Sequence, residues 1–297
     1  MRFVYLLVPL LLFFGCAKKS ITYKNVVLSN KRVSNIELYY KEFGKKNRDT
    51  ILMLHGFGSS SVTFKNIIPE LSKRYHIYTP DLKGFGRSPK PKDDRYSVYD
   101  QYLIVKNFIK KHHIKNPILL GHSLGGSIAI LLSLDKEIGV KKLILLDTPA
   151  YKQQLPKLLR YANIPIFGKL GFYLLPSHYE VLDGYKYAFY DHSKIPMKIV
   201  DELSNDLKSK NAKYAFLKTN QEIIPDDIDD ISKRYKEIDI PTLIVWGYND
   251  IVVRRSKAYR LNKDIKNSRL RFIYDCGHIP QEEKPKELLK ILKSFLF

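Results

Sequence analysis

Gly121-His122-Ser123-Leu124-Gly125-Gly126 stands where a strand should turn into a helix. Ahead of it Asn116-Pro117 punctuates the chain, and Ile118-Leu119-Leu120 reads as a short, fully buried strand. Behind it, Leu124 to Leu134 carries apolar residues on every side, as a helix buried against a sheet does. The six residues contain G-x-S-x-G, the pattern of a serine at the tip of a sharp strand-to-helix turn. Side chains larger than hydrogen at Gly121 and Gly125 would collide with the adjoining strand and helix, and the serine is expected in a strained backbone conformation. A hydroxyl so placed projects into a pocket with a helix N-terminus behind it. The bare pattern is weak, but between an apolar strand and an apolar helix it marks Ser123 as a nucleophile.

A serine needs a base, an orienting acid and donors for a developing oxyanion. Ile51-Leu52-Met53-Leu54 is strand-like and runs into His55-Gly56-Phe57-Gly58. That loop can aim the Phe57 N–H at the point to which the Leu124 N–H also turns, giving an oxyanion hole of two donors. Leu243-Ile244-Val245-Trp246, another buried-strand run, ends in Gly247-Tyr248-Asn249-Asp250. Arg271-Phe272-Ile273-Tyr274 leads into Asp275-Cys276-Gly277-His278-Ile279-Pro280. Nucleophile, acid and base thus follow in the order Ser123, Asp250, His278.

These stretches resemble the α/β-hydrolase fold family from about Ile36 to the C-terminus. The resemblance rests on His55-Gly56-Phe57-Gly58, on Asp81-Leu82-Lys83-Gly84-Phe85-Gly86-Arg87-Ser88 and on the Ser123 elbow. It extends to Trp246-Gly247-Tyr248-Asn249-Asp250 and to Gly277-His278-Ile279-Pro280 with Glu283-Lys284-Pro285. It implies Ser123 as nucleophile, Asp250 as triad acid and His278 as base. Dehalogenases and epoxide hydrolases of this fold carry an aspartate at the elbow, so Ser123 argues against both chemistries.

Other polar residues have plainer readings. His55 is read as organising its loop, since His278 fills the base role better, and His122 as packing locally. Asp81 with Gly84 and Gly86 is read as shaping the turn after the strand His76 to Thr79. Asp147 ends another buried strand, Leu143 to Leu146, and is the rival for the triad acid. The resemblance places the acid after the next strand and so favours Asp250. Cys276, two residues from His278, is read as a small buried hydrophobe rather than a thiol nucleophile.

The N-terminus carries an independent signal. Met1-Arg2 is a minimal basic start, and the apolar stretch Phe3 to Phe14 is followed by Gly15-Cys16. The stretch falls short of the roughly 20 residues of a membrane span and has the proportions of a secretory signal. Ending in Gly-Cys it resembles a bacterial lipoprotein signal, with residues 1–15 removed and Cys16 lipidated. Phe13 and Phe14 depart from the leucine and small residue usual there, and an ordinary cleaved signal or an uncleaved anchor are the alternatives. With Cys16 lipidated, Cys276 is left without a disulfide partner. The expected location is the bacterial cell envelope, lipid-anchored to a membrane.

Residues 16–297 suffice for one large domain with an insertion. The formal charge is +21 and the isoelectric point about 9.7. The lysines are spread through every segment and no nucleic-acid-binding motif accompanies them, so no nucleic-acid partner is expected. Strands are expected at Ile21 to Leu28, Ile36 to Glu42, Ile51 to Leu54, His76 to Thr79, Ile118 to Leu120, Leu143 to Leu146, Leu243 to Trp246 and Arg269 to Tyr274. The first two read as an antiparallel entry pair. The others alternate with helices such as Val98 to Lys111 and Pro285 to Phe297. The expected fold is α/β, a mostly parallel eight-stranded sheet covered by helices on both faces. Between about 148 and 237 prolines and aromatics dominate, and helical stretches such as Ile199 to Ala215 appear without strands. This block is expected to be a helical cap inserted after the sixth strand.

The reading is a membrane-tethered serine hydrolase acting on carboxylic esters through an acyl-enzyme on Ser123. It needs no metal or organic cofactor, and its partners are a small-molecule acyl substrate and a membrane reached through Cys16. Phe167, Phe172, Tyr173 and Phe189 fit either an apolar substrate pocket or the core of the cap. A peptidase or C–C bond hydrolase on the same triad is the alternative; a non-catalytic binding lipoprotein is a further one.

Overall fold

A computed structural model describes residues 20–28 and 36–297. Each apolar run expected between Ile51 and Tyr274 is a strand of one sheet. The strands are β1 (Tyr40–Phe43), β2 (Thr50–Leu54), β3 (His76–Pro80), β4 (Ile118–His122), β5 (Lys142–Leu146), β6 (Thr242–Gly247) and β7 (Ser268–Ile273). They lie in the order β1-β3-β2-β4-β5-β6-β7, all parallel except β1, which runs antiparallel to β3. Between and after them come α1 (Ile68–Leu71), α2 (Val98–Lys111), α3 (Leu124–Leu134), α4 (Lys157–Ala162), α5 (Phe167–Leu174) and α6 (Ser177–Ala188). The chain continues with α7 (Met197–Lys208), α8 (Ala212–Glu222), α9 (Ile228–Ser232), α10 (Ser256–Asp264), α11 (Pro280–Glu283) and α12 (Pro285–Leu296).

The strands read as continuous apolar runs because both faces of the sheet are covered. Alternate residues serve opposite cores: Leu52, Leu119, Leu145 and Trp246 pack with Val105 of α2, Ile128 of α3 and Leu261 of α10. Ile51, Met53, Leu120 and Val245 face the other way, onto Ile68 of α1 and Leu288 and Leu292 of α12. The period of two in a strand makes this division. Ser97 starts α2 with a capping box, accepting from the Asp100 amide while the Asp100 carboxylate accepts from the Ser97 amide.

The sheet has seven strands among the described residues, not eight. The expected strand Ile21 to Leu28 is instead a helical turn, Lys24–Leu28, packed beside α2. Its amides find side-chain partners: Ile21 N–H donates to Asp226 Oδ2 at 2.9 Å and Tyr23 N–H to Asp227 Oδ2 at 2.7 Å. β-branched composition pointed to a strand, but these carboxylates satisfy the backbone without one. The second expected strand starts four residues late, at Tyr40, and pairs with β3 instead of the segment before it. The expected entry pair is therefore absent from the described residues, and the insertion expected after a sixth strand follows the fifth.

From α4 to α9 the chain is helical between β5 and β6. The stretch Ile199 to Ala215 is two helices, interrupted where Asn211 takes the left-handed conformation at φ 63°. Cys16 and the signal lie outside the described residues. No helix of the described residues is long and apolar enough to cross a membrane.

Candidate active site

Ser123 stands between the end of β4 and the start of α3 with φ 51° and ψ −121°, a region that non-glycine residues rarely occupy. Packing enforces this turn. A methyl group at Gly121 would enter the backbone of Gly125 and Gly126, and one at Gly125 would enter the Leu54 carbonyl at the end of β2. The His55–Gly58 loop lies against the same point, since a Cβ on Gly56 would stand 3.1 Å from Ser123 Cβ. Phe57 follows in that loop and lines the cavity above Ser123, while Leu124 is the first residue of α3.

Three residues expected to act together meet here. Ser123 Oγ lies 3.0 Å from His278 Nε2, and His278 Nδ1 lies 2.8 Å from Asp250 Oδ2. The other Asp250 oxygen accepts from the amides of Val252 at 2.7 Å and Val253 at 3.0 Å, so the carboxylate cannot rotate freely. That arrangement suits an Nδ1–H tautomer whose Nε2 is free to accept the serine proton.

The rival acid sits close by but in another bond. Asp147 is fully buried, and its Oδ1 accepts from the Gly247 amide at 2.8 Å. Oxygens of Asp147 and Asp250 and a ring nitrogen of His278 all lie within 4.8 Å of one another. Burial, with the Asp250 carboxylate beside it, holds the Asp147 carboxyl well above the usual carboxylate range. Asp147 therefore bonds the strand-end backbone, while Asp250 is the carboxylate that meets His278 Nδ1.

Two further histidines hold backbone. His55 Nδ1 donates to the Gly56 carbonyl at 2.8 Å while Nε2 accepts from the Leu82 amide at 2.8 Å. His122 Nε2 donates to the His278 carbonyl at 2.8 Å. Burial keeps both rings below the ordinary histidine range and so neutral. Asp81 accepts from the amides of Ser61 and Arg87, at 2.7 and 2.9 Å, and shapes the loop. Cys276 is fully buried, and burial pushes its thiol far up, leaving no thiolate to attack.

Glu283, in the motif that follows His278, has a use that the sequence does not display. Its carboxylate accepts from the amides of Gly277 and Asp191, both at 2.7 Å, and the His278 amide donates to the Ala188 carbonyl at 2.6 Å. The loop carrying His278 is thereby fastened to the end of α6. An acid at that spacing gave no readable signal because both partners are backbone groups.

Glu282 beside it is buried, taking hydrogen bonds from Thr63 at 2.5 Å and from Tyr185. Burial lifts its carboxyl from 4.5 to about 7, against the opposing effect of those bonds. The folded protein therefore keeps a proton that the unfolded chain releases. The stability from this group is full below pH 4.5 and is lost as pH rises through about 7, on the order of 3 kcal/mol. Glu222, also raised to about 7 by burial, acts with the same sign. Burial of neutral His55 and His122 acts with the opposite sign, so the fall in Tm from pH 5 to pH 8 that Glu282 contributes is read by comparing wild type with a variant. In Glu282→Gln the fall should shrink by about 3 °C or more; an undiminished fall would show that Glu282 is not the group that titrates.

Ser123 and His278 open into a cavity of about 740 Å³. Its walls are largely apolar and combine sheet-side residues such as Val98 and Ile130 with Leu159, Phe172, Leu175 and Phe216 of the helical insertion. The four aromatics singled out in the sequence divide. Phe172 lines the cavity, Phe189 packs with Tyr185 in a separate core, and Phe167 and Tyr173 point to solvent.

A match to the family described as alpha/beta hydrolase fold covers residues 49–285. The uncharacterized hydrolase YugF of Bacillus subtilis (strain 168) is 27% identical over 269 residues, 89% of this chain and 96% of that protein. Lipase 1 of Psychrobacter immobilis is 26% identical, covering 88% of this chain and 81% of the lipase. Among solved structures, a membrane phospholipase A described as a bacterial virulence factor superposes with a TM-score of 0.73 at 27% identity. That alignment covers 89% of this chain and 84% of the phospholipase.

Proposed function

The chain belongs to the alpha/beta hydrolase fold family, and from that premise we propose that it is a serine hydrolase of carboxylic esters with apolar acyl groups. The observation that carries this reading is the chain of contacts Ser123 Oγ, His278, Asp250 opening on an apolar cavity. His278 Nε2 takes the proton as Ser123 Oγ attacks the acyl carbon, and the Asp250 carboxylate stabilises the imidazolium. The Phe57 and Leu124 amides are assigned to the oxyanion, at the crossing of the Gly56 loop and the start of α3. His278 then returns the proton to the leaving alcohol, and water releases the acyl group by the same route in reverse. An apolar cavity of this size suits an acyl chain better than a peptide, whose amides would lose hydrogen bonds to water there. The lipase and phospholipase relatives support an ester substrate. The helical insertion, expected at 148–237, serves as the cap over this pocket.

The second part of the reading places the enzyme at a membrane through lipid on Cys16, in keeping with the short apolar run before it. The test has two arms. Across p-nitrophenyl esters from acetate to palmitate, kcat/KM should rise beyond butyrate, while aminoacyl p-nitroanilides should be cleaved at least a hundredfold more slowly. A preference for the amides would overturn the ester reading. Labelled palmitate should enter the wild type and not Cys16→Ser; equal incorporation or none in either would remove the tether.

A further inference from the structure

Of the large apolar residues exposed among the described residues, half lie between Tyr161 and Leu175. Ile166, Phe167 and Leu174 are about three-quarters exposed, at 74%, 79% and 74%. Tyr161, Ile164, Leu170, Tyr173 and Leu175 are exposed beside them. The concentration has a local cause. α5 is apolar on nearly every side, with Lys169 its one charged residue. Only the side bearing Phe172 is covered, stacked on Phe216 at a ring distance of 4.9 Å. Gly168 lets α5 press onto the Tyr161 carbonyl at the end of α4, so both helices present one surface. Between them Ile166 is held at φ 63°, an unfavourable conformation for a β-branched residue, with its side chain outward.

A helix apolar all round is normally buried, and an exposed apolar patch of this extent marks an interaction surface. Two observations identify the occupant. From Lys157 to Tyr179 the chain has Lys157, Arg160 and Lys169 and no aspartate or glutamate, so this segment brings only positive charge to the apolar surface, and the exposed Asp94 carboxylate near Lys169 is paired with Lys218. All three basic side chains are exposed. The same two helices also line the cavity from within, through Leu159, Ala162 and Phe172. The outer surface and the wall of the acyl pocket are thus two sides of one thin layer.

We propose that α4 and α5 dock on the surface of a bilayer rich in anionic phospholipid, with Phe167, Leu170 and Leu174 entering the acyl boundary and the basic rim meeting the headgroups. Aromatic and aliphatic side chains on one side with basic residues at the rim is the chemistry of interfacial binding. Docked in this way, the layer places the cavity beside the lipid from which an acyl chain would enter. The docking does not depend on the hydrolase reading; the delivery of substrate does.

The test uses the full chain. Tryptophan at Phe167→Trp is compared with tryptophan at Phe297→Trp, exposed beside Tyr75 at the far end of the sheet; the buried Trp246 gives a constant background. With vesicles of phosphatidylcholine and phosphatidylglycerol carrying brominated acyl chains, the Phe167→Trp emission should be quenched by at least half. Phe297→Trp should stay unchanged, and Ser123→Ala added to Phe167→Trp should quench equally. The paired change Phe167→Ser with Leu174→Ser should lower kcat/KM at least tenfold on a long-chain ester in vesicles and less than twofold on soluble p-nitrophenyl butyrate. Equal quenching at 167 and 297 would overturn the docking. So would a dimer that this pair of changes dissociates without any lipid quenching, since the surface would then serve a second copy. Quenching that persists with no vesicle-specific loss of rate would overturn the delivery alone.

Discussion

Ser123→Ala is expected to lower kcat for p-nitrophenyl butyrate by about a million-fold, as removal of the serine from comparable triads does. No other described nucleophile stands ready at His278: Ser123 Oγ is 3.0 Å from Nε2, whereas the Cys276 thiol is buried and held protonated. The substitution removes one oxygen at a site packed by backbone, so the elbow should survive it. Circular dichroism and an unchanged Tm would confirm the fold before steady-state rates are measured. Labelling by a fluorophosphonate should vanish together with the activity. Cys276→Ala is the companion experiment and should keep kcat within about threefold. A folded Ser123→Ala protein with a tenth of the wild-type rate would sink the assignment, as would loss of all activity in a folded Cys276→Ala protein.

Asp250→Asn should cost about 10⁴ in kcat, because the amide would stabilise the wrong tautomer of His278. The carboxylate accepts from His278 Nδ1 at 2.8 Å, and its second oxygen is fixed by two amides, so the variant should retain the geometry and lose the charge. Asp147→Asn is the contrast. Its Oδ1 accepts from the Gly247 amide rather than meeting His278, and burial raises its carboxyl well above the usual range, so an amide of the same shape should cost no more than about tenfold. Both variants are measured with the same ester after their folding is checked. A crippled Asp147→Asn beside an active Asp250→Asn would move the acid to the end of β5.

The sequence alone made the central strands and the elbow readable, because local rules bind there. A strand covered on both faces is apolar throughout, and Ile118-Leu119-Leu120 and Leu243-Ile244-Val245-Trp246 have that pattern in runs too short for a helix. Only glycine fits at Gly121 and Gly125, where a methyl group would meet backbone, so the elbow is written in residue types. The positions of Ser123, Asp250 and His278 after strand ends could be read for the same reason.

What the tertiary structure decided lay where distant partners compete for a group. Ile21 to Leu28 has strand-like composition, but Asp226 and Asp227, some 200 residues away, cap its amides and leave it a helical turn. The separate fates of Asp147 and Asp250 depend on which one faces His278 Nδ1, and both end strands of the same kind. Glu283 acts only through backbone amides brought to it by the fold. The outward direction of Phe167 and Leu174 depends on Phe172 having taken the one covered side of α5. Composition fixes how much apolar surface a segment carries; which part of it is covered is settled by neighbours that the local sequence does not contain.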